Sequence, residues 1–277
     1  MVEQAFADLE NWTQYFCTAE VPVLRHTAQQ LEKLRDSAET ANARAVSSAI
    51  LQDPLMTLRV LQYIERNRNQ RQQTDITTIE RALMMIGVEP FFRDFSQLPL
   101  IEDQLKPHPK ALLGLLKVIS RGRIAARWAR DWAIQRHDLD VDEITVAALL
   151  RYCTDMLMWC FAPELALQAR ALQTGDRRQR SSVIQQETFN VRLDDLQMAL
   201  VEAWGLPPLL ITLMDAKQAE NPRVRNVALA CNLARHSANG WDDAALPDDY
   251  KAICELLRIE HETLMRKLGL NPEGIPL

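Results

Sequence analysis

Glycine is scarce in this chain, 8 residues of 277, and aromatic side chains make up only 6%. Few segments combine apolar-polar alternation with β-branched enrichment, so nothing argues for a sheet. The five cysteines, Cys17, Cys153, Cys160, Cys231 and Cys254, are an odd set with no Cys-x-x-Cys pair. That pattern speaks against a disulfide frame or a zinc site and predicts reduced thiols in the core. The first residues, Met1 to Asp8, lack the cationic and apolar regions of a secretion signal, which predicts a cytoplasmic protein. The longest uncharged apolar run, Met156 to Ala162, is stopped by Pro163. It falls well short of the ~20 residues that span a bilayer, so no membrane crossing is expected. No Gly-x-Ser-x-Gly elbow, dinucleotide fingerprint, phosphate loop or suggestive Cys-His pair is present, and no fixed-period repeat supports a solenoid.

What the chain does have is 47% hydrophobic residues and an abundance of Ala, Leu, Gln, Glu and Arg. These are helix formers, and they predict an all-α protein of two helical subdomains, long enough to bury roughly three quarters of its unfolded surface. The sharpest local signal is Ala49 to Met56. Asp53 can accept hydrogen bonds from the free amides of a first turn, and Pro54 suits the first helical position, where a missing N–H costs nothing. One helix ends there and another begins. A further helix over Ile76–Ile86 is expected to be capped by Thr74 or Asp75 and closed by Gly87.

Elsewhere the organisation is coarser. Residues 1–20 read as an extension with an amphipathic helix over 3–18, presenting Phe6, Leu9, Thr13 and Phe16, flanked by Trp12 and Tyr15. Four or five short helices are expected between Gln29 and Leu98. Pro99 to Pro109, with three prolines, reads as a crossover that divides a bundle over 21–105 from a second over 106–277. In the second half a long helix should run from Ala111 towards Gln135, followed by a loop and one strongly apolar helix from Ile144 to Phe161, capped by Asp140 or Asp142. Helices near 192–203, 208–219, 222–238, 249–257 and 260–268 complete the expectation.

Four blocks carry a resemblance to a known family. Val21-Pro22-Val23-Leu24 resembles the Leu-Pro-x-Leu-Pro opening of the HDOD family, the HD-related output domains of bacterial signalling proteins. Ile50 to Leu55 resembles its Ile-x-x-Asp-Pro-x-Leu turn, Ile76 to Gly87 its Ile-x-x-Ile-x-x-Ala-Ile-x-x-Leu-Gly helix, and Trp204-Gly205-Leu206-Pro207 its Trp-x-Leu-Pro joint. Arg25 departs from the second proline of the opening, and the Asn-Ser pair usual after the second helix is absent from Tyr63 to Asn69. The resemblance implies an HD-like helical fold in which Asp53, Pro54, Gly87, Trp204 and Pro207 are structural.

In the related HD phosphohydrolases two histidines and two aspartates hold a metal ion, with a His-Asp pair in a Leu-Leu-His-Asp-x-Gly context. The matching stretch here is Ala148-Leu149-Leu150-Arg151-Tyr152-Cys153-Thr154, so Arg151 and Tyr152 stand where the pair would be. A guanidinium has no lone pair to offer a cation. The last aspartate looks to be replaced by Asn232. The resemblance therefore implies no metal, no cofactor and no catalytic residue. A bound metal lowers the pKa of its water to about 7, more than a lone general base supplies, so hydrolysis is not expected.

Other candidates have plainer explanations. His137-Asp138 is a literal His-Asp pair, but it sits in a polar stretch between apolar helices and reads as a solvated linker. His26, His108, His236 and His261 lack metal-ligand spacing, and Asp155, Asp194 and Asp215 read as helix-surface or capping carboxylates rather than a relict pocket. Arg123, Arg127 and Arg130 share a helix face near Trp128, and Arg177, Arg178 and Arg180 form a second basic group. Nucleic acid would use both for phosphates and the tryptophan for stacking, yet the net charge is −5, which favours a solvated face. The expected role is a non-catalytic signalling module with a protein partner. The alternatives are a remnant metal-dependent phosphohydrolase and a nucleic-acid binder.

Overall fold

A computed structural model describes residues 1–37, 42–67, 78–175, 179–271 and 274. Among the described residues every regular element is a helix, apart from one isolated bridge between Val23 and Leu100. The chain runs through α1 (Leu9–Thr18), α2 (Arg25–Arg35), α3 (Ala43–Ile50), α4 (Pro54–Arg66), α5 (Ile79–Ile86), α6 (Val88–Asp94), α7 (Ile101–Gln104), α8 (Pro109–Gln135) and α9 (Val141–Leu150). It continues with α10 (Cys153–Phe161), α11 (Pro163–Gly175), α12 (Ser181–Phe189), α13 (Leu193–Ala203), α14 (Pro208–Met214), α15 (Pro222–His236), α16 (Leu246–Leu257) and α17 (His261–Leu268).

Two compact units emerge, one built from residues 1–119 and 152–211, the other from 120–151 and 212–277. The division does not fall at residues 105 and 106. It runs through α8, and each unit draws on two separated stretches of chain. The proline-rich stretch is no bare crossover either, since α7 forms inside it, the Val23 N–H donates to the Pro99 carbonyl and the Ile101 N–H donates to the Val23 carbonyl, both at 2.9 Å.

In the first unit α3 packs on α2, α4 and α5, and α10 packs on α4, α11 and α13. The first 20 residues are part of this core rather than an extension. α1 lies against α13, and it begins at Leu9, capped by Asp8, not at residue 3. Its buried face is Trp12 and Phe16, with the Trp12 indole N–H donating to the Phe189 carbonyl at 2.8 Å, while Leu9 is exposed. Gly114 of α8 lets Trp159 of α10 close in: a Cβ at 114 would stand 2.5 Å from the indole. In the second unit α15 packs on α9 and α16, and α16 on α17.

Local chemistry explains most boundaries. Asn42, Thr78 and Asn221 each accept a first-turn amide, the expected cap geometry. α5 starts at Ile79 under Thr78; Thr74 and Asp75, expected to cap it, lie outside the described residues, as do Arg177 and Arg178. Gly87 ends α5 with φ of 85°, a conformation that other residues rarely adopt. The expected single helix over 144–161 is two helices, broken at Arg151 and Tyr152. Likewise Asp215 stops α14 short, and short 3₁₀ turns at Ala216–Gln218 and Ser237–Asn239 follow α14 and α15. Val141–Phe161 is apolar and long enough by composition to cross a bilayer, but 78% of its most apolar window is buried inside the protein. Its apolar side chains are already covered.

Candidate functional site

The resemblance directs attention to two places, the buried turn around Asp53 and the positions that hold metal in HD enzymes. Asp53 is fully buried. Its Oδ1 accepts from the amides of Leu55 and Met56 at 2.9 and 3.2 Å, and its Oδ2 accepts from Leu24 at 2.7 Å. One carboxylate thus caps α4 and ties the chain's opening segment to it. Burial pushes the Asp53 carboxyl above the ordinary range, against the pull of its backbone amides and of Thr27. The opening segment is gripped again by Arg59, whose guanidinium donates to the Val21 carbonyl at 2.6 Å. The departure at Arg25 also has a use: its amide donates to both Glu102 carboxylate oxygens, at 3.2 and 2.9 Å, which a proline could not do.

The joint at Trp204 closes α13 by two bonds, Gly205 N–H to Glu202 and Leu206 N–H to Val201, at 2.9 and 3.0 Å. With Gly205 at φ of 68° this is a Schellman ending, after which Pro207 leads into α14. Trp204 and Pro207 are both buried.

The resemblance would place metal ligands at Arg151, Tyr152 and Asn232. Arg151 and Tyr152 form the break between α9 and α10, and Asn232 lies half-buried on α15. Next to Asn232, the buried Cys231 thiol points at the Ala148 carbonyl, 3.8 Å away. Burial pushes that thiol up to about 12, opposed by the positive charges of Arg151, Arg121 and Arg235. The guanidinium groups of Arg121 in mid-α8, Arg151 at the end of α9 and Arg235 in the last turn of α15 thus all act on this thiol. Among the described residues no group of three or more His, Cys, Asp or Glu is placed to hold a metal. The residues present do not fit the divalent ion of HD enzymes.

The remaining candidates separate. His137-Asp138 is not a solvated linker. Asp138 is only 11% exposed and bridges Arg136, at 3.1 Å, and Arg223, at 4.0 Å, while Arg223 also pairs with Asp140 and Arg136 donates to the Leu256 carbonyl. The pair is a clamp between the end of α8, the start of α15 and the end of α16, with His137 itself exposed at φ of 56°. Asp155 and Asp194 stand in the first turns of α10 and α13, and Asp215 caps a 3₁₀ turn in the other unit. Cys153, Cys160 and Cys231 are buried as expected, but Cys17 and Cys254 are only half-buried.

Two histidine partnerships escaped the sequence. His236 Nδ1 lies 2.5 Å from Asp249 and its Nε2 lies 3.1 Å from Arg235, so the neutral ring with the proton on Nδ1 satisfies both neighbours. His108 meets Glu164 at 2.8 Å. Neither pair has a spacing that a local reading would notice. Arg127 and Arg130 are exposed on α8 whereas Arg123 is half-buried, and Arg130 is paired to Asp142 at 3.0 Å. Trp128 stacks on the buried Trp132, with ring centres 6.4 Å apart, rather than standing free for a base.

The HDOD domain model matches residues 21–220. The chain belongs to the HDOD family. Its fold is similar to that of a response regulator from Methylococcus capsulatus, at 19% identity and a TM-score of 0.67, covering 91% of this chain and 98% of that one. A virulence factor from Campylobacter jejuni is similar at 17% identity and a TM-score of 0.65, covering 96% and 93%. No curated protein matches the chain. At these identities the two structures support the HDOD fold alone.

Proposed function

We propose that this HDOD chain is a regulatory module that acts by docking other proteins and catalyses no reaction of its own. The observation that carries the reading is the kind of side chain found where the resemblance expects metal ligands. Arg151 and Tyr152 form the break between α9 and α10 where the resemblance expects the His-Asp pair of an HD enzyme, and a guanidinium has no lone pair to offer a cation. In the first unit, the Asp53 turn and the Trp204 joint keep the helical frame in order. A domain with its frame kept and its expected His-Asp pair replaced by Arg151 and Tyr152 acts through its surfaces.

The test has two arms. Purified full-length chain is incubated with manganese, iron, magnesium or zinc, desalted, and examined by elemental analysis and by hydrolysis of aryl phosphate mono- and diesters. Neither stoichiometric metal nor metal-dependent turnover is expected; robust turnover overturns the reading in favour of a phosphohydrolase. In the second arm, cells expressing the chain are cross-linked, and adducts with other proteins are expected. Recovery of the bait alone counts against docking.

A further inference from the structure

The first unit carries two exposed surfaces of opposite charge. One is a groove of about 660 Å³ at α1 and α13, lined by Asp8, Leu9, Glu10, Thr13, Gln14 and Ala199. Its lining holds two carboxylates and no cation. Asp8 is engaged as the cap of α1, but Glu10 is exposed and has no ion-pair partner among the described residues. The same is true of Glu202, one turn beyond Ala199 on α13. Leu9 adds an apolar side chain that is 36% exposed. The second surface is the start of α8. From Pro109 to Ile119 this helix has two cations, Lys110 and Lys117, and no anion. At 3.6 residues per turn, Lys110, Leu113, Leu116 and Lys117 fall within an arc of about 120°. Leu113 is 61% and Leu116 39% exposed, and neither lysine, both exposed, is paired among the described residues. Large apolar side chains left open beside free ammonium groups mark an interaction surface rather than an ordinary solvated face. Groove and strip both lie wholly within residues 1–119 and 152–211, the first unit.

We propose that the chain associates with itself, the Lys110–Lys117 strip of one copy seating in the α1/α13 groove of another. Each surface supplies what the other lacks. The strip brings Leu113 and Leu116 to Leu9 and Ala199, and its ammonium groups to Glu10 and Glu202. It is two helical turns long, about 10 Å at 1.5 Å per residue, and a groove of several hundred Å³ takes a few side chains of that kind. Because groove and strip are different surfaces of one chain, the contact is head-to-tail: it closes into a ring, is made twice in a two-fold dimer, or continues as a row of copies. Exposed charge pairs contribute little each and are screened by salt, so they set the register while the leucines supply the burial, and the association is reversible. Nucleic acid and anionic membranes are poor occupants of the groove, since their charge matches its own. This association is separate from the docking of other proteins proposed above, and either can fail alone.

The experiment is sedimentation velocity of the full chain at rising concentration. At low salt the weight-average mass is expected to climb above that of the monomer, and to fall back as salt is raised above physiological strength. Glu10→Lys/Glu202→Lys and Lys110→Glu/Lys117→Glu should each weaken self-association about tenfold while keeping the parent's thermal midpoint, all four positions being exposed. Mixed in equal amounts, the two variants should associate again, because the reversed strip of one meets the reversed groove of the other. Leu113→Ser/Leu116→Ser should weaken association as well. A chain that stays monomeric at every concentration overturns the proposal. So does association that both charge-reversed variants retain, or a mixture of the two that associates no better than its separate components. If a monomeric parent binds phosphatidylglycerol vesicles and Lys110→Glu/Lys117→Glu does not, the strip belongs to a membrane surface and its assignment to a second copy is retired.

Discussion

The break before α4 and the break between α9 and α10 each separate consecutive helices by two or three residues, and they are made by opposite means. At the first, a buried carboxylate accepts three backbone amides and a proline opens the next helix. At the second, no side chain caps α10, and Arg151 and Tyr152 carry the chain through ordinary helical and bridge conformations. The reason lies in where the two breaks stand. α3 and α4 both pack in the first unit, whereas the chain passes from the second unit to the first between Arg151 and Tyr152. α9 answers to α15, and α10 to α11 and α13. A break written in capping chemistry can be read locally; a break imposed by two cores cannot.

Substitution at Asp53 should produce the largest effect. Asp53→Ala leaves the amides of Leu24, Leu55 and Met56 without their acceptor in a buried site, and a loss of about 4 kcal/mol in urea unfolding is expected from the desolvation of several unpaired donors. A loss below about 1 kcal/mol would mean that the turn is held by packing, like the other break. The same residue sets a pH signature. Its carboxyl titrates above the ordinary range in the folded chain because it is buried, so over that window the unfolded chain has released a proton that the folded chain retains. Asp53 therefore adds stability below the ordinary carboxylate pKa and loses it as pH rises through the raised value. Asp53→Asn, which cannot ionise, should flatten that slope in a comparison of melting temperatures across mildly acidic pH.

Gly114→Ala probes packing alone. With its new methyl 2.5 Å from the Trp159 indole, it should cost about 2 kcal/mol, and a smaller residue at 159 should restore much of it. In the second unit Asp138→Ala is expected to cost about 1.5 kcal/mol by releasing Arg136 and Arg223, measurable by thermal or urea denaturation. Were that loop the solvated linker that its composition suggests, the change would stay within about 0.5 kcal/mol. At the small end stands Arg130→Ala, which breaks an exposed pair with Asp142 and should shift stability by less than about 1 kcal/mol.

The sequence by itself determined the all-α class, the family, and those boundaries that a residue announces to its neighbours: Asp53-Pro54, Gly87, Gly205 and Asn221-Pro222. These signals act within one helical turn, on amides that would otherwise lack a partner, and so need no knowledge of the rest of the chain. Only the tertiary structure decided that α1 buries Trp12 rather than Leu9, that Asp138 joins Arg136 to Arg223, that His236 meets Asp249, and that the division between units runs inside α8. Each of these depends on which helix faces which, a choice made by apolar surface summed over many residues. No single position in the chain announces it.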